Sequence, residues 1–217
     1  MAVILPQFDL FYAPVPKVAC TSLKLMFFEA ENGRPFEPFV VNGRPRHIHN
    51  AAYAATLHAD LPLARLTDMH RVAVIRDPIE RLISAYRNRV RHHRELAHER
   101  APARFAETGL APDPDLGTFV DRLEDYADLS ASIHHHTRPM VDFLGTDPAW
   151  FSEIYTLGEL DRFLADMRAR TGQPLTLPHV QTGGPKLDTD ALTPAQRRKL
   201  RGFYAADYAA FGAILDA

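Results

Sequence analysis

The chain reads as an α/β protein built on a central, mainly parallel sheet, and three observations lead there. Short apolar runs bounded by turn formers, at Phe8 to Tyr12, Val72 to Ile75 and Glu153 to Leu157, have the length and continuity of buried strands. Segments with helical spacing of apolar residues follow each run, and strands alternating with helices are the pattern of a parallel sheet. The length of 217 residues suits one domain, so residues 1–217 are expected to form a single unit able to bury most of its apolar surface.

Taken in order, the first strand stops at Pro14 and Pro16, and a short turn carries Lys17, Thr21 and Ser22. Leu23, Met26, Phe27 and Ala30 then recur at helical spacing, while Leu25 and Phe28 make that helix apolar on further sides. A helix start preceded by a turn gathers unbonded N–H groups and the positive end of the helix dipole, which makes it a seat for phosphate or sulfate. Asn32 to Arg46, rich in Gly and Pro, reads as loop with one short strand at Phe39 to Val41, and an Ala-rich helix interrupted near Pro62 is expected over His49 to Leu66.

After the strand Val72 to Ile75, Asp77 suits a helix N-cap, with Pro78 at the first helical position and Glu80 in the first turn. Leu82, Ile83, Tyr86 and Val90 define a core face, and Glu80, Arg81, Ser84, Arg87, Asn88 and Arg91 the polar face opposite. Ala101 to Gly117 has few core-forming residues and reads as a mobile loop, of a length often used for lids. Thr118 to Leu129 is amphipathic through Phe119, Val120, Leu123 and Tyr126, and a loop with His134, His135, His136, Arg138 and Pro139 follows. A helix over Leu160 to Arg170 ends at Gly172, and one or two helices over Pro194 to Leu215 close the chain.

Composition narrows the function. With 25 Lys plus Arg against 27 Asp plus Glu, the formal charge of −2 argues against bulk electrostatic binding to nucleic acid, so any anion site is local. The one cysteine, Cys20, excludes an intrachain disulfide. The N-terminus lacks a basic n-region and is broken by Pro6, and no apolar run approaches the ~20 residues of a membrane span, so a soluble, cytoplasmic protein is expected. His134 to His136 have no ligand spacing with another His or Cys, and no metal is expected.

Two stretches carry chemistry. The first, PKVACTSLK, departs from the nucleoside-triphosphate P-loop GxxxxGK[ST]: neither glycine is present, and the lysine does not sit directly before the hydroxyl residues. In the second, IRDPIERLISAYRNR, Arg76 ends a strand and Ser84 lies about two turns into the next helix, a pair suited to one phosphate. Together these resemble the two cosubstrate motifs of sulfotransferases that use 3′-phosphoadenosine 5′-phosphosulfate (PAPS), most closely the carbohydrate branch with its Golgi members and soluble bacterial relatives. His136-Thr137-Arg138-Pro139 followed by DFLG, the YTLGELDRFL segment and YAADYAAFG extend the resemblance.

The resemblance implies a three-layer α/β fold with a nucleotide site laid out as in P-loop kinases. It implies that Lys17, Thr21 and Ser22, with the backbone N–H groups of Ala19, Cys20, Thr21 and Ser22, cradle the 5′-phosphosulfate, and that Arg76 and Ser84 clamp the 3′-phosphate. The product would be 3′,5′-ADP, and the acceptor a hydroxyl of a carbohydrate or glycoconjugate. Lys17 is suited to neutralise the departing oxygen, and an imidazole or carboxylate to take the acceptor's proton. His47 and His49, in HIHNAAY, are similar to an H-x-H feature of uronyl 2-O-sulfotransferases, so His49 is favoured as base, His47 next and His136 third.

Plainer readings stand beside these. Lys17 to Ser22 is also an ordinary helix start, Arg76 and Ser84 could pair locally with Asp77 or Glu80, and His47 with His49 could be a surface turn. The run Arg87 to Arg94 is either a solvated helix end or a guide for an anionic glycan. A catalytically inactive PAPS-binding module and an ATP- and magnesium-dependent kinase-like enzyme are the rival functions. The sequence does not indicate an oligomeric state.

Overall fold

A computed structural model describes residues 2–100, 102–178 and 189–216. The chain divides into two compact units, one made of Met1–Arg76, Met140–Gln181 and Ala210–Ala217, the other of Asp77–Pro139 and Thr182–Ala209.

The first unit holds a four-stranded sheet in the order β1 (Val3–Leu5), β2 (Leu10–Ala13), β5 (His70–Ile75), β6 (Glu153–Thr156). β2, β5 and β6 run parallel, with Ala13 opposite Ala73 and Ile75 opposite Thr156, while β1 adds an antiparallel edge. The α/β class with a mostly parallel sheet is as the sequence predicts, and β1 is an addition to it. Alternate residues of β2 serve opposite faces: Tyr12 meets Phe27 and Phe163 at centroid distances of 5.3 and 6.3 Å, whereas Phe11 meets Trp150 at 5.7 Å. Phe27 and Phe163 come from the helices Cys20–Asn32 and Leu160–Thr171, the latter ended by Gly172 in a left-handed conformation. Strand residues buried on both sides explain the unbroken apolar runs.

Two expectations for this unit are corrected. Asn42-Gly43, with φ of 50° and 72°, closes a hairpin between β3 (Phe39–Val41) and β4 (Arg44–Arg46), so the loop carries two strands. The Ala-rich helix expected over His49 to Leu66 is broken into short pieces, Ile48–Ala51, a 3-10 turn at His58–Asp60 and, after Pro62, Leu63–Leu66. His47 and Asn50 form a capping box that starts a helix at Ile48, but it stops at Ala51, and the Tyr53 hydroxyl donates to Glu31 on the Cys20–Asn32 helix. With Tyr53, Leu61 and Leu66 all buried, tertiary anchoring overrides alanine propensity.

The second unit is helical. Asp77 caps the helix Pro78–Ala85 by accepting from the N–H groups of Ile79 and Glu80 at 2.9 and 3.0 Å, and the helix widens into a π segment over Tyr86–His92. Leu82, Ile83, Tyr86 and Val90 pack against Phe119, Tyr126, Ile133, Leu200 and Tyr204. The closing segment is two helices, Pro194–Phe203 and Ala205–Leu215.

Here the expected loop at Ala101 to Gly117 instead contains a helix, Pro102–Thr108, with Phe105 buried. Tyr126 donates to Ala111 O at 2.8 Å and Tyr86 to Pro114 O at 3.0 Å, so hydroxyls on neighbouring helices tie the segment down. Its few apolar residues are spaced for contact with the core, a fact composition alone conceals. The His134 to His136 loop is likewise a helix, Ala131–Thr137, whose Ser130 cap accepts from Ile133 N–H.

Candidate functional site

β2 ends at Ala13, and the buried Pro14 and Pro16 stiffen the turn that follows. Lys17 and Ala19 have φ of 68° and 47°, the left-handed region in which L-residues cost roughly 1–2 kcal/mol each. A nucleoside-triphosphate P-loop uses glycines to permit such a turn; here two residues with Cβ atoms adopt it. Strained non-glycine backbone of this kind concentrates at ligand sites. The helix Cys20–Asn32 begins at Ala19, which has no side-chain acceptor for the first N–H groups. Leu23 N–H is the donor that bonds back to Ala19 O, at 3.1 Å, so the N–H groups of Cys20, Thr21 and Ser22 precede the helical ladder. The turn and the helix start thus lie at the residues where an anion seat is expected.

The His47 region meets this seat. His47 caps the short helix Ile48–Ala51 by accepting from His49 N–H at 3.3 Å, and its own N–H donates to Asn50 Oδ1 at 2.8 Å. That geometry turns His49 towards the helix Cys20–Asn32, where its Nε2 lies 2.9 Å from Thr21 Oγ1 and its Nδ1 lies 3.1 Å from Lys24 Nζ. Lys24 is 1% exposed. Burial lowers the pKa of the Lys24 side chain below its usual value, with Cys20 acting in the opposite direction. Lys24 has no assigned role in the sequence reading. The signal that could have found it is the i,i+3 spacing of Thr21 and Lys24 on one helix face, with the lysine set among core positions.

Parallel pairing of β2 and β5 brings the Lys17 turn and Arg76 to the same carboxyl edge of the sheet, the usual ligand edge of such sheets. Arg76 and Lys17 are both half-buried. Ser84 belongs to the second unit and is half-buried on the helix Pro78–Ala85. The start of that helix is braced by Tyr208, whose hydroxyl donates to Asp77 Oδ2 at 2.9 Å. Burial and the neighbouring carboxylate push the Tyr208 phenol well above its usual range. This gives the YAADYAAFG segment a physical role: its tyrosine supports the N-cap of the second motif.

Arg81 is a correction to the polar face expected for the helix Pro78–Ala85. It is 0% exposed, and its guanidinium donates to the carbonyls of His136, Thr137 and Arg138. Tyr204 donates to Thr137 O at 2.6 Å, and Arg81 sits over the Tyr204 ring at 5.7 Å. The cation thus caps the C-terminus of the helix Ala131–Thr137, where carbonyls lack intrahelical partners. His136, at that end, donates from Nδ1 to Ser132 O at 2.7 Å, so in its neutral form the ring carries its lone pair on Nε2.

A mostly parallel sheet with a strained strand-to-helix turn at its carboxyl edge defines an α/β protein of the kind whose ligand sites lie at that edge. Residues 1–212 match the family model described as the sulfotransferase family, and the chain belongs to that family. Carbohydrate sulfotransferase 11 of Rattus norvegicus is 36% identical over 85 residues, covering 37% of this chain and 24% of that protein. The Mus musculus protein of the same name matches equally. The aligned segment thus spans about a quarter of the length of these relatives. No solved structure matches the chain.

Proposed function

We propose that the protein transfers a sulfuryl group from PAPS to a hydroxyl, with a carbohydrate or glycoconjugate as acceptor, releasing 3′,5′-ADP. The observation that carries this reading is the placement of the Lys17 turn and Arg76 on one sheet edge in a chain of this family. Two cationic points on one edge suit a nucleotide with two anionic ends. Lys17 and the N–H groups of Ala19 to Ser22 hold the 5′-phosphosulfate, and Arg76 with Ser84 holds the 3′-phosphate, for which the guanidinium fork is fitted. The named matches to carbohydrate sulfotransferases support the acceptor class.

In the proposed step the acceptor oxygen bonds to sulfur as the bond from sulfur to the bridging phosphate oxygen breaks, in line. Lys17 neutralises the charge appearing on that oxygen. The acceptor's proton passes to a base proposed from His49, His47 and His136, with His49 the one in contact with the seat. No metal takes part in this scheme. A cytoplasmic location is proposed with it, since a chain with one cysteine forms no internal disulfide.

Titration calorimetry with 3′,5′-ADP and with ATP plus magnesium tests the donor. Binding of 3′,5′-ADP is expected, and tight ATP binding without it would refute the proposal. Transfer of labelled sulfate from PAPS to a panel of glycans tests the reaction, and binding of 3′,5′-ADP with no transfer to any acceptor would favour the inactive module.

A further inference from the structure

Lys24 has no place in the scheme above, yet it is almost fully buried in the helix that forms the anion seat. A lysine removed from water is costly unless its N–H groups are used. Its Nζ lies 3.1 Å from His49 Nδ1, and His49 Nε2 lies 2.9 Å from Thr21 Oγ1, so three side chains form one line from the core to the seat.

The donor inventory sets the direction of this line. An ammonium donates and accepts nothing, so His49 Nδ1 accepts from Lys24, and a neutral imidazole then carries its hydrogen on Nε2. Nε2–H donates to Thr21 Oγ1, which leaves the hydroxyl hydrogen of Thr21 for another acceptor. Three other helical threonines give that hydrogen to the carbonyl one turn back: Thr108 to Arg104 O at 2.7 Å, and Thr137 to Ile133 O and Thr171 to Met167 O at 2.8 Å each. Thr21 instead has His49 as its side-chain partner, beside the N–H groups of Cys20 and Ser22 that precede the ladder.

We propose that Lys24 is a positioning residue that holds His49 as the Nε2–H tautomer, so that His49 directs the Thr21 hydroxyl hydrogen into the anion seat. This rests on the reading of the seat as the 5′-phosphosulfate cradle. In this arrangement His49 serves the cradle instead of acting as the base, and among the histidines proposed above proton acceptance falls to His47 or His136. Lys24 acts only through His49 and touches no substrate.

The test uses the full chain labelled with 15N-histidine, at a pH above the usual imidazole pKa of about 6.5. His49 is identified by the resonance lost in His49→Gln. Long-range 1H–15N correlation is expected to show His49 protonated on Nε2 in the native protein. In Lys24→Met, or Lys24→Gln if the first does not fold, the population of the Nδ1–H tautomer rises. A native His49 protonated on Nδ1, or a tautomer ratio unmoved by Lys24 replacement, overturns the proposal. Calorimetry with 3′,5′-ADP supplies the second readout: Lys24→Met and Thr21→Val each weaken binding about tenfold, and the double variant is no weaker than Thr21→Val. Additive losses would overturn the coupling. If the native protein does not bind 3′,5′-ADP, the cradle reading fails, while the tautomer measurement still decides the role of Lys24.

Discussion

Replacing Arg81 by methionine keeps most of the side-chain volume and removes the guanidinium. The structure sets the loss: donors to the three carbonyls of His136, Thr137 and Arg138 disappear, as does the cation over Tyr204. Hydrogen bonds from a charged donor contribute about 1.5–3 kcal/mol each, but the three share one guanidinium and Tyr204 still donates to Thr137 O. The desolvation that native Arg81 suffers at 0% exposure offsets part of the gain. A net destabilisation of about 3 kcal/mol follows, within the range for stripping one partner from a buried ionic network. Urea unfolding followed by far-UV dichroism reads it as a lower midpoint at unchanged slope. Arg81→Lys recovers only part, since an ammonium lacks the planar fork needed to reach all three carbonyls. A loss below about 0.5 kcal/mol for Arg81→Met would refute the assignment of Arg81 as the cap of that helix.

Other variants test the seat and its supports. Lys17→Ala is expected to cut turnover about a hundredfold while 3′,5′-ADP affinity changes a few-fold, whereas Arg76→Ala weakens 3′,5′-ADP binding by roughly 2 kcal/mol, about thirtyfold, by calorimetry. Ala19→Gly relieves the left-handed cost at φ 47° against a similar entropy term, so its melting temperature should stay near native, while Ala19→Val lowers it by several degrees. Gly145, at φ 76°, has no room for a Cβ, which would lie 2.8 Å from His58 Nε2; Gly145→Ala should cost at least about 2 kcal/mol in urea unfolding.

What could be read in advance differs between segments for physical reasons. The strands at Leu10–Ala13 and His70–Ile75 are buried on both faces, so their apolar runs are unbroken and short, and Asp77-Pro78 marks a helix start by side-chain chemistry within a few residues. The stretch from Tyr53 to Leu66 is not one continuous helix, and only His58–Asp60 and Leu63–Leu66 are helical, because its path is set by where Tyr53, Leu61 and Leu66 bury, which no local period records. The helix Pro102–Thr108 was missed because a single aromatic, Phe105, does the anchoring with help from the hydroxyls of Tyr86 and Tyr126.

The sequence by itself determined the strand, turn and helix around Lys17, the strand and capped helix around Arg76, and the resemblance that joins them, because each depends on neighbours along the chain. Only tertiary structure decided that Lys17 and Ala19 sit in the left-handed region, that Arg81 faces three carbonyls instead of water, and that His49 reaches Thr21 and Lys24. These are contacts between residues more than 20 positions apart, or backbone states imposed by such contacts. Their energies depend on burial and partner geometry, neither of which is written in residue type or spacing.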